Sequence, residues 1–281
     1  MEDKQNFLTM KKLFASAVAL MTVSFAYAQG NVDVTNQLGN LNTATVDQTG
    51  FQNENYLTQD GNRNDADIDQ TGIWNYNDAL SQGNRNSIDV DQVGILNSNV
   101  TEQYGNRNMA QTDQNGLLNS VEQYQQGNRN DTYAMQDGAF NEALQTQVGN
   151  RNVASSEQMG DFNYVQQDQY GNRNEANAYQ DGDDNYIHQL QDGNRNYADH
   201  TQMGDNNSAD SHQTGNDNTT LGLQVGNGND LVQYQWGNGN LADDWQIGNN
   251  NYSDTWQTGD DHVHIGTQIG NSNSMIITQS N

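Results

Sequence analysis

Apolar and polar residues alternate along most of this chain, in short segments separated by turn residues. Five residues lie between each Asn of a recurring turn and the next Gln. The second of them is small or apolar in most segments, as at Ala44, Ile88 and Val121. The third and fifth are often charged or aromatic, as at Asp67 and Trp245. Because alternation with period two is typical of strands with one buried face, each segment is predicted to form a strand.

The segments recur with a spacing of eleven residues. Gly occupies twenty-two positions at this spacing, from Gly39 to Gly270, without insertion or deletion. Gln stands two positions before each Gly except at Ser81, and Asn stands three positions after each Gly except at His262. Gly and Asn both tolerate a positive φ, so each Gly-x-x-Asn segment predicts a tight turn.

A period of twenty-two residues is superposed on the first. Asn follows Gly in alternate units, and all seven arginines beyond residue 28 follow such an Asn, at Arg63, Arg85, Arg107, Arg129, Arg151, Arg173 and Arg195. The sequence therefore predicts an all-β fold. We expect a β-solenoid of about eleven 22-residue strand-turn-strand-turn coils over residues 37–281, with two facing parallel sheets and cross-β stacking.

The composition by itself favours disorder, since hydrophobic residues make up only 32% of the chain and its net charge is −26. The absence of Pro instead suits a chain whose backbone N–H groups all pair. Stacked coils would place identical amide side chains in columns where they bond to one another, around a narrow core of Ala, Val and Ile. The predicted structural ladder comprises Gln37, Gly39, Asn42, Gln48, Gly50, Asn53, Gln59, Gly61, Asn64, Gln169, Gly171, Asn174, Gln268, Gly270 and Asn273.

The first 28 residues have the pattern of a secretory signal peptide. Lys11 and Lys12 precede an apolar run over residues 13–25, and Ala26-Tyr27-Ala28 forms a small-x-small cleavage site. Residues 29–36 form a short segment before the first Gln of the repeat. The chain contains no Cys, so no disulfide is expected in the exported protein.

The repeat resembles the curlin repeat of curli fibre subunits, as in residues 37–48 (QLGNLNTATVDQ) and 169–180 (QYGNRNEANAYQ). The resemblance implies a secreted functional amyloid whose subunits stack end to end in an extracellular biofilm matrix of a Gram-negative-type bacterium. It further implies a minor nucleating subunit, an outer-membrane export pore and chaperones as partners. The chain has more coils than well-known family members and a shorter segment before its repeats.

The C-terminal unit is a candidate growth edge for such a fibre. No charged residue follows Asp261, and the last strand contains Met275, Ile276 and Ile277. Uncharged, β-branched edges favour the addition of another strand. The acidic residues on the outward strand positions are interpreted as groups that delay aggregation, so assembly should accelerate at lower pH or higher salt.

Other candidate chemistry is weaker. The arginine column is expected to be a solvated loop charge, with an anion-binding strip as the alternative, and His262 and His264 could hold a metal ion. We expect no enzyme activity, cofactor or metal, no required nucleic acid and no stable membrane insertion. The acidic pairs are expected in turns or on surface strands, at Asp183-Asp184, Asp243-Asp244 and Asp260-Asp261.

Two other functions stay open at this stage. The chain could be a soluble, monomeric surface solenoid that acts as an adhesin or ligand-binding module. It could also be a minor nucleating subunit of the same fibre.

Overall fold

The structure, a computed structural model, describes residues 30–281. The expected signal peptide lies outside this range. Within it the chain forms 23 strands and no helix. The strands are β1 (Val32–Asn40), β2 (Thr43–Phe51), β3 (Glu54–Asn62), β4 (Asp65–Ile73), β5 (Tyr76–Asn84), β6 (Ser87–Ile95), β7 (Ser98–Asn106), β8 (Met109–Leu117), β9 (Ser120–Asn128), β10 (Asp131–Ala139), β11 (Glu142–Asn150), β12 (Val153–Met159), β13 (Tyr164–Asn172), β14 (Glu175–Asp181), β15 (Tyr186–Asn194), β16 (Tyr197–Met203), β17 (Ser208–Asn216), β18 (Thr219–Val225), β19 (Asp230–Trp236), β20 (Leu241–Ile247), β21 (Tyr252–Thr258), β22 (Val263–Ile269) and β23 (Ser274–Ser280).

The strands form two parallel sheets. The odd-numbered strands make a twelve-stranded sheet and the even-numbered strands an eleven-stranded sheet, each in sequence order. Each residue pairs with the residue 22 positions further along, as Gln37 does with Gln59. The predicted β-solenoid of about eleven coils is therefore confirmed. The first strand begins at Val32, so it starts within the segment 29–36 that precedes the first repeat Gln.

The turns depend on glycine at the position where the chain leaves each strand. The φ angles of the repeat glycines lie between 104° at Gly160 and 137° at Gly193. At Gly149, a Cβ atom would also overlap the carbonyl oxygen of Gly171 in the next coil. The residue two positions later is left-handed as well, with φ near 60° at Arg151, a conformation that non-glycine residues can adopt at modest cost.

The core between the sheets is more polar than the sequence indicated. Apolar clusters form around Leu57, Ile68 and Val90, and again around Ile187 and Leu231. Between and beyond them the fourth residue after the ladder Asn, which also points inward, is frequently polar, as at Thr112 and Gln145. The expected core of Ala, Val and Ile is thus only part of the interior, because hydrogen-bonded amides and hydroxyls fill the rest.

Aromatic residues one coil apart add contacts along the outside of the stack. The rings of Tyr164 and Tyr186 are stacked with centroids 5.3 Å apart, and those of Tyr234 and Trp256 with centroids 4.6 Å apart. Pairs of this kind stabilise neighbouring strands beyond the effect of buried area.

We expect the Gly149→Ala substitution to lower the free energy of unfolding by about 3 kcal/mol or more, since it combines an unfavourable φ with an overlap against Gly171. Urea unfolding followed by circular dichroism would measure the change. The matched control is Gly228→Asn, because Gly228 has φ of 68° and the same turn position holds Asn206 and Asn250 in the flanking coils. An equal loss in both variants would contradict this account of the turn.

Candidate functional site

The repeated Gln side chains form two columns inside the solenoid, one in each sheet. In the even-numbered sheet, each Gln donates from Nε2 to the Oε1 of the Gln one coil later, from Gln48 to Gln268, over distances of 2.7–3.1 Å. The second Nε2 hydrogen goes to a backbone carbonyl, as from Gln70 to Glu54 at 3.1 Å. In this sheet every Gln amide between the ends therefore has a partner on both sides, as a buried polar group requires.

The Asn residues form a column with a different bonding pattern. Asn42 Oδ1 accepts from the backbone N–H of Asn64 at 3.0 Å, and its Nδ2 donates to the carbonyl of Gly61 at 3.1 Å. Bonding between the side chains themselves was the expectation for this column, and it occurs in the C-terminal coils, as from Asn207 Nδ2 to Asn185 Oδ1 at 3.2 Å. The short Asn side chain also holds the turn of the next coil, because it reaches the backbone there.

The odd-numbered sheet contains one break in its Gln column, at Ser81. Its side chain is fully buried, and neither its Oγ nor the Oε1 of Gln103 has a hydrogen-bond partner within the described residues. Ser is too short to span the distance between coils. The exception that the sequence shows at this position is therefore a local defect in hydrogen bonding.

A third amide column lies in the core and was missed in the sequence analysis. Gln123 donates to Gln145 at 3.0 Å, Gln145 to Gln167 at 2.9 Å and Gln167 to Gln189 at 2.8 Å. The signal that could have found this column is the recurrence of Gln every 22 residues at the fourth position after the ladder Asn.

A buried carboxylate, Asp244, lies near the C-terminal end of the core. It was expected in a turn or on a surface strand, but its exposure is 0%. The carboxylate accepts from Gln233, Ser253 and Thr255 at 2.9–3.2 Å, and His264 Nε2 lies 2.9 Å away. Four neighbouring polar groups compensate the loss of water around this charge.

Glycine provides the space for this cluster. In the even-numbered sheet, Gly222 and Gly266 flank Asp244 in the same column, one coil before and one coil after it. A Cβ atom at Gly266 would lie 2.5 Å from the Oδ1 of Asp244. The two other Asp pairs follow the expectation more closely, since Asp183-Asp184 and Asp260-Asp261 lie between strands.

The buried His200 and the partly buried His188 respond to their surroundings in opposite ways. Burial lowers the pKa of His200 to about 4, although Gln233 accepts a hydrogen bond from it. Burial also acts to lower the pKa of His188, but its hydrogen bond to Asp210 and the charges of Asp210 and Asp168 outweigh that effect and raise it. His188 Nδ1 lies 3.0 Å from Asp210.

The seven arginines form a column along one edge of the solenoid. Each occupies the left-handed position of the turn after an odd-numbered strand, from Arg63 to Arg195, and is exposed to solvent. Beside them runs a column of exposed Asn side chains bonded to one another, as Asn62 is to Asn84 at 2.9 Å. Among the described residues, Arg195 alone of the seven contacts a carboxylate, that of Asp217 at 2.5 Å.

A compact group of carboxylates covers the even-numbered sheet in the first coils. It comprises Asp47, Asp67, Asp69, Asp89, Asp91 and Asp113. Burial, followed by the charges of neighbouring carboxylates, raises the pKa of Asp69, Asp89 and Asp91. Mutual repulsion of these groups is therefore part of the folded state.

Comparison with known proteins agrees with this geometry. The family model of the curlin associated repeat matches residues 39–72 and 193–221. Both ranges contain the Gly-x-x-Asn turn, and the same unit continues between them without interruption. The chain is a curlin-repeat protein. No curated protein matches it.

The end strands of this curlin-repeat protein differ from its interior strands. In β23 the side chains of Met275 and Ile277 point toward the core side and are half-buried, whereas Ile276 points outward and is 66% exposed. At the other end, every residue of β1 is exposed. Both ends thus present strands that are paired on one side within the described structure.

The histidines proposed as metal ligands contact different partners in the curlin-repeat protein. His262 precedes β22 and its Nε2 lies 3.1 Å from the carbonyl of Thr258, whereas His264 contacts Asp244. Among residues 30–281, no group of three or more potential ligands could hold a metal ion. The same range contains no helix long and apolar enough to cross a membrane.

We expect Ser81→Gln to stabilise the fold by about 1–3 kcal/mol, because the added amide would accept from Gln59 and donate to the unpartnered Oε1 of Gln103. Urea unfolding would measure the gain. Ser81→Ala is the control, as it removes the hydroxyl without repairing the column. A stability for Ser81→Gln that is equal to or below that of Ser81→Ala would contradict the proposed role of the Gln column.

The pKa of His200 is lowered and that of His188 is raised, so we expect these two residues to have opposite effects on how stability depends on pH. Because the folded-state pKa of His200 is about 4 and its ordinary value is 6.5, the unfolded chain binds the proton more tightly. The lowered pKa of His200 does not affect the free energy of unfolding above pH 6.5. As pH falls below that value, it lowers the free energy of unfolding, by on the order of 3 kcal/mol near pH 4. His200→Gln should therefore reduce the loss of stability between pH 6.5 and 4.

His188→Gln should act in the other direction. The raised pKa of His188 stabilises the folded state below pH 6.5, and this contribution is lost as pH rises through the folded-state value. The variant should be less stable than the parent at pH 5 and closer to it at pH 8. Urea unfolding at a series of pH values would test both variants, and parallel pH profiles for them would refute the assignment.

Proposed function

We propose that this chain is a secreted structural subunit that assembles by end-to-end strand addition into extracellular, curli-like amyloid fibres of a biofilm matrix. The unbroken curlin repeat and the β-solenoid fit a subunit of this type. The proposal includes a cell-surface location, a minor nucleating subunit, and export through an outer-membrane pore with chaperones. The regular register of the coils favours a role as the major, fibre-building subunit.

The observation that carries the proposal is the complementarity of the two ends. Every Gln column runs in one direction, because in each Gln–Gln bond the Nε2 donates toward the C-terminal end. At that end, Gln279 Nε2 bonds to the carbonyl of Val263 but to no further Gln within the described residues. At the other end, Gln37 donates to Gln59, and no described residue donates to its own Oε1.

The Asn column has the reverse direction, which completes the complementarity. The backbone N–H of each ladder Asn donates to the Asn one coil earlier, as from Asn273 to Asn251 at 3.0 Å. The C-terminal end therefore presents side-chain donors from Gln and side-chain acceptors from Asn. The N-terminal end presents the opposite set, so a second copy stacked head to tail continues both columns.

The acidic residues fit a role in delaying this assembly. The stacked carboxylates repel one another, and the same repulsion acts between copies that approach each other. Protonation or added salt weakens it. A monomeric adhesin would have the same repeat and fold. The two functions therefore differ in whether copies of the chain assemble into fibres.

The first experiment is to refold residues 29–281 from denaturant and to examine the product by electron microscopy and fibre diffraction. Fibres with a meridional spacing of about 4.8 Å would support the assembling subunit. A folded, β-rich monomer that persists at high concentration would refute it and favour an adhesin. Seeding of a second, unassembled sample distinguishes a nucleating subunit from a fibre-building one.

The terminal strand gives a sharper test with a matched control. Ile277→Asp places a carboxylate on the half-buried core side of β23, where an added coil would cover it, whereas Thr278→Asp places the same charge on the outward side. Burial of an unpaired charge is strongly unfavourable, so we expect elongation of seeded fibres to slow by roughly tenfold or more in Ile277→Asp and far less in Thr278→Asp. Equal elongation rates would remove this strand from the growth edge, as would normal elongation after deletion of residues 273–281.

A further inference from the structure

Two columns of like charge have no oppositely charged partner among residues 30–281, the part of the chain that the structure describes. The first, which we call the arginine edge, consists of Arg63, Arg85, Arg107, Arg129, Arg151 and Arg173. These six side chains are exposed and form no ion pair with any described residue, whereas Arg195 in the next coil is paired with Asp217. Like charges repeated from coil to coil repel one another along the edge.

The second column is the acidic face, defined as Asp47, Asp67, Asp69, Asp89, Asp91 and Asp113 on β2, β4, β6 and β8. No described Arg or His lies within ion-pair distance of these six carboxylates. The face and the edge overlap along the axis, since Arg63, Arg85 and Arg107 belong to the turns that lead into β4, β6 and β8. They lie on different sides of the solenoid, one on a sheet and the other on a turn column, so they do not neutralise each other.

The two columns also have the same spacing. Asp69, Asp91 and Asp113 are paired residues of successive strands, so one carboxylate of this column recurs in each coil. One arginine also recurs in each coil. Because both repeats equal the strand spacing of about 4.8 Å, two solenoids that lie side by side align a guanidinium with a carboxylate in coil after coil.

We propose that the arginine edge of one copy binds the acidic face of a second copy in a neighbouring fibre. The proposal rests on the proposed function, because it concerns fibres that have already formed. When the arginine edge of one copy binds the acidic face of another, the pair still has one free arginine edge and one free acidic face. Lateral association of this kind therefore continues from fibre to fibre and produces bundles.

A second copy fits the arginine edge better than an unrelated polyanion does. The chain has a net charge of −26, which opposes the approach of nucleic acid or an acidic polysaccharide along most of its surface. A second copy has the same overall charge, but its contact relieves two uncompensated columns at once, the arginines of one molecule and the carboxylates of the other. The raised pKa of the crowded carboxylates supports the same conclusion, since a nearby cation would ease their repulsion.

Added salt should have opposite effects on the lateral contact and on elongation. Screening weakens the repulsion between copies, so added salt should accelerate elongation, whereas it should dissolve bundles that depend on ion pairs. The test therefore begins with preformed fibres of the full exported chain, fragmented to equal length and kept in EDTA. Bundling is measured as the fraction that sediments at low speed and as fibre width in electron micrographs.

The first variant is Arg85→Asn/Arg107→Asn/Arg129→Asn. Asn is suited to the left-handed turn position, where Asn206 and Asn250 have φ of 59° and 55°. We expect the bundled fraction to fall by roughly threefold or more, with elongation retained. Arg195→Asn is the matched control, because its charge is already compensated by Asp217, and it should leave bundling close to that of the parent.

Two charge-reversal variants provide the decisive test of the lateral contact. One variant carries Asp in place of Arg85, Arg107 and Arg129, a change with precedent in Asp184, Asp217 and Asp261 at the same turn position. The other carries Asp67→Lys, Asp69→Lys, Asp89→Lys and Asp91→Lys. Each type of fibre alone should fail to bundle, because its edge and its face then carry charge of the same sign, negative in the first variant and positive in the second. A mixture of the two types should bundle again.

The outcomes are distinct. Failure of all chains to form fibres would refute the proposed function and leave this contact without a basis. Any one of three results would overturn the lateral contact. The fibres of the Asn variant could bundle as the parent does, the mixed charge-reversed fibres could stay separate, or the parent bundles could dissolve in EDTA. Normal bundling of the Asn variant together with lost binding of added DNA or polyuronate would assign the edge to an external polyanion instead.

Discussion

The structure depends on one interaction, the pairing of each residue with the residue 22 positions further along. This register places every amide side chain next to an identical one, so that Gln147 donates to Gln169 while it accepts from Gln125. A chain with few large apolar residues can order itself in this way because its buried polar groups have partners in both directions. The break at Ser81 shows the same dependence, since one shortened side chain leaves an acceptor of the next coil unpaired.

The same register decides where variation is tolerated. Positions that point outward differ widely between coils, whereas the Gly, Gln and Asn positions are nearly constant within this chain. Inward positions accept large polar groups only where neighbouring residues make space and supply bonds. Asp244 illustrates this, because Gly222 and Gly266 lie above and below it and four side chains surround its carboxylate. The interior is therefore adjusted locally, while the turns and amide columns keep the coils aligned.

A molecule built in this way has two kinds of surface. Its ends present the donors and acceptors that the columns leave unused, and these groups favour addition of another copy along the axis. Its sides present columns of charged and aromatic residues repeated at the strand spacing, and these favour contacts with other molecules of equal spacing. In the proposed fibre, the ends serve elongation along the axis and the sides serve lateral association.

The sequence by itself determined the coil length, the parallel pairing and the inward or outward direction of most residues, because an unbroken spacing of eleven allows a single register. Only the tertiary structure decided which polar groups meet across the core. Gln233 and Asp244 lie on strands of opposite sheets, so their contact depends on the distance between the two sheets. The tertiary structure also showed that the ladder Asn side chains bond to the backbone of the next coil. Among the described residues, Arg195 alone of the seven arginines has an acidic partner. Both findings depend on side-chain reach rather than on spacing.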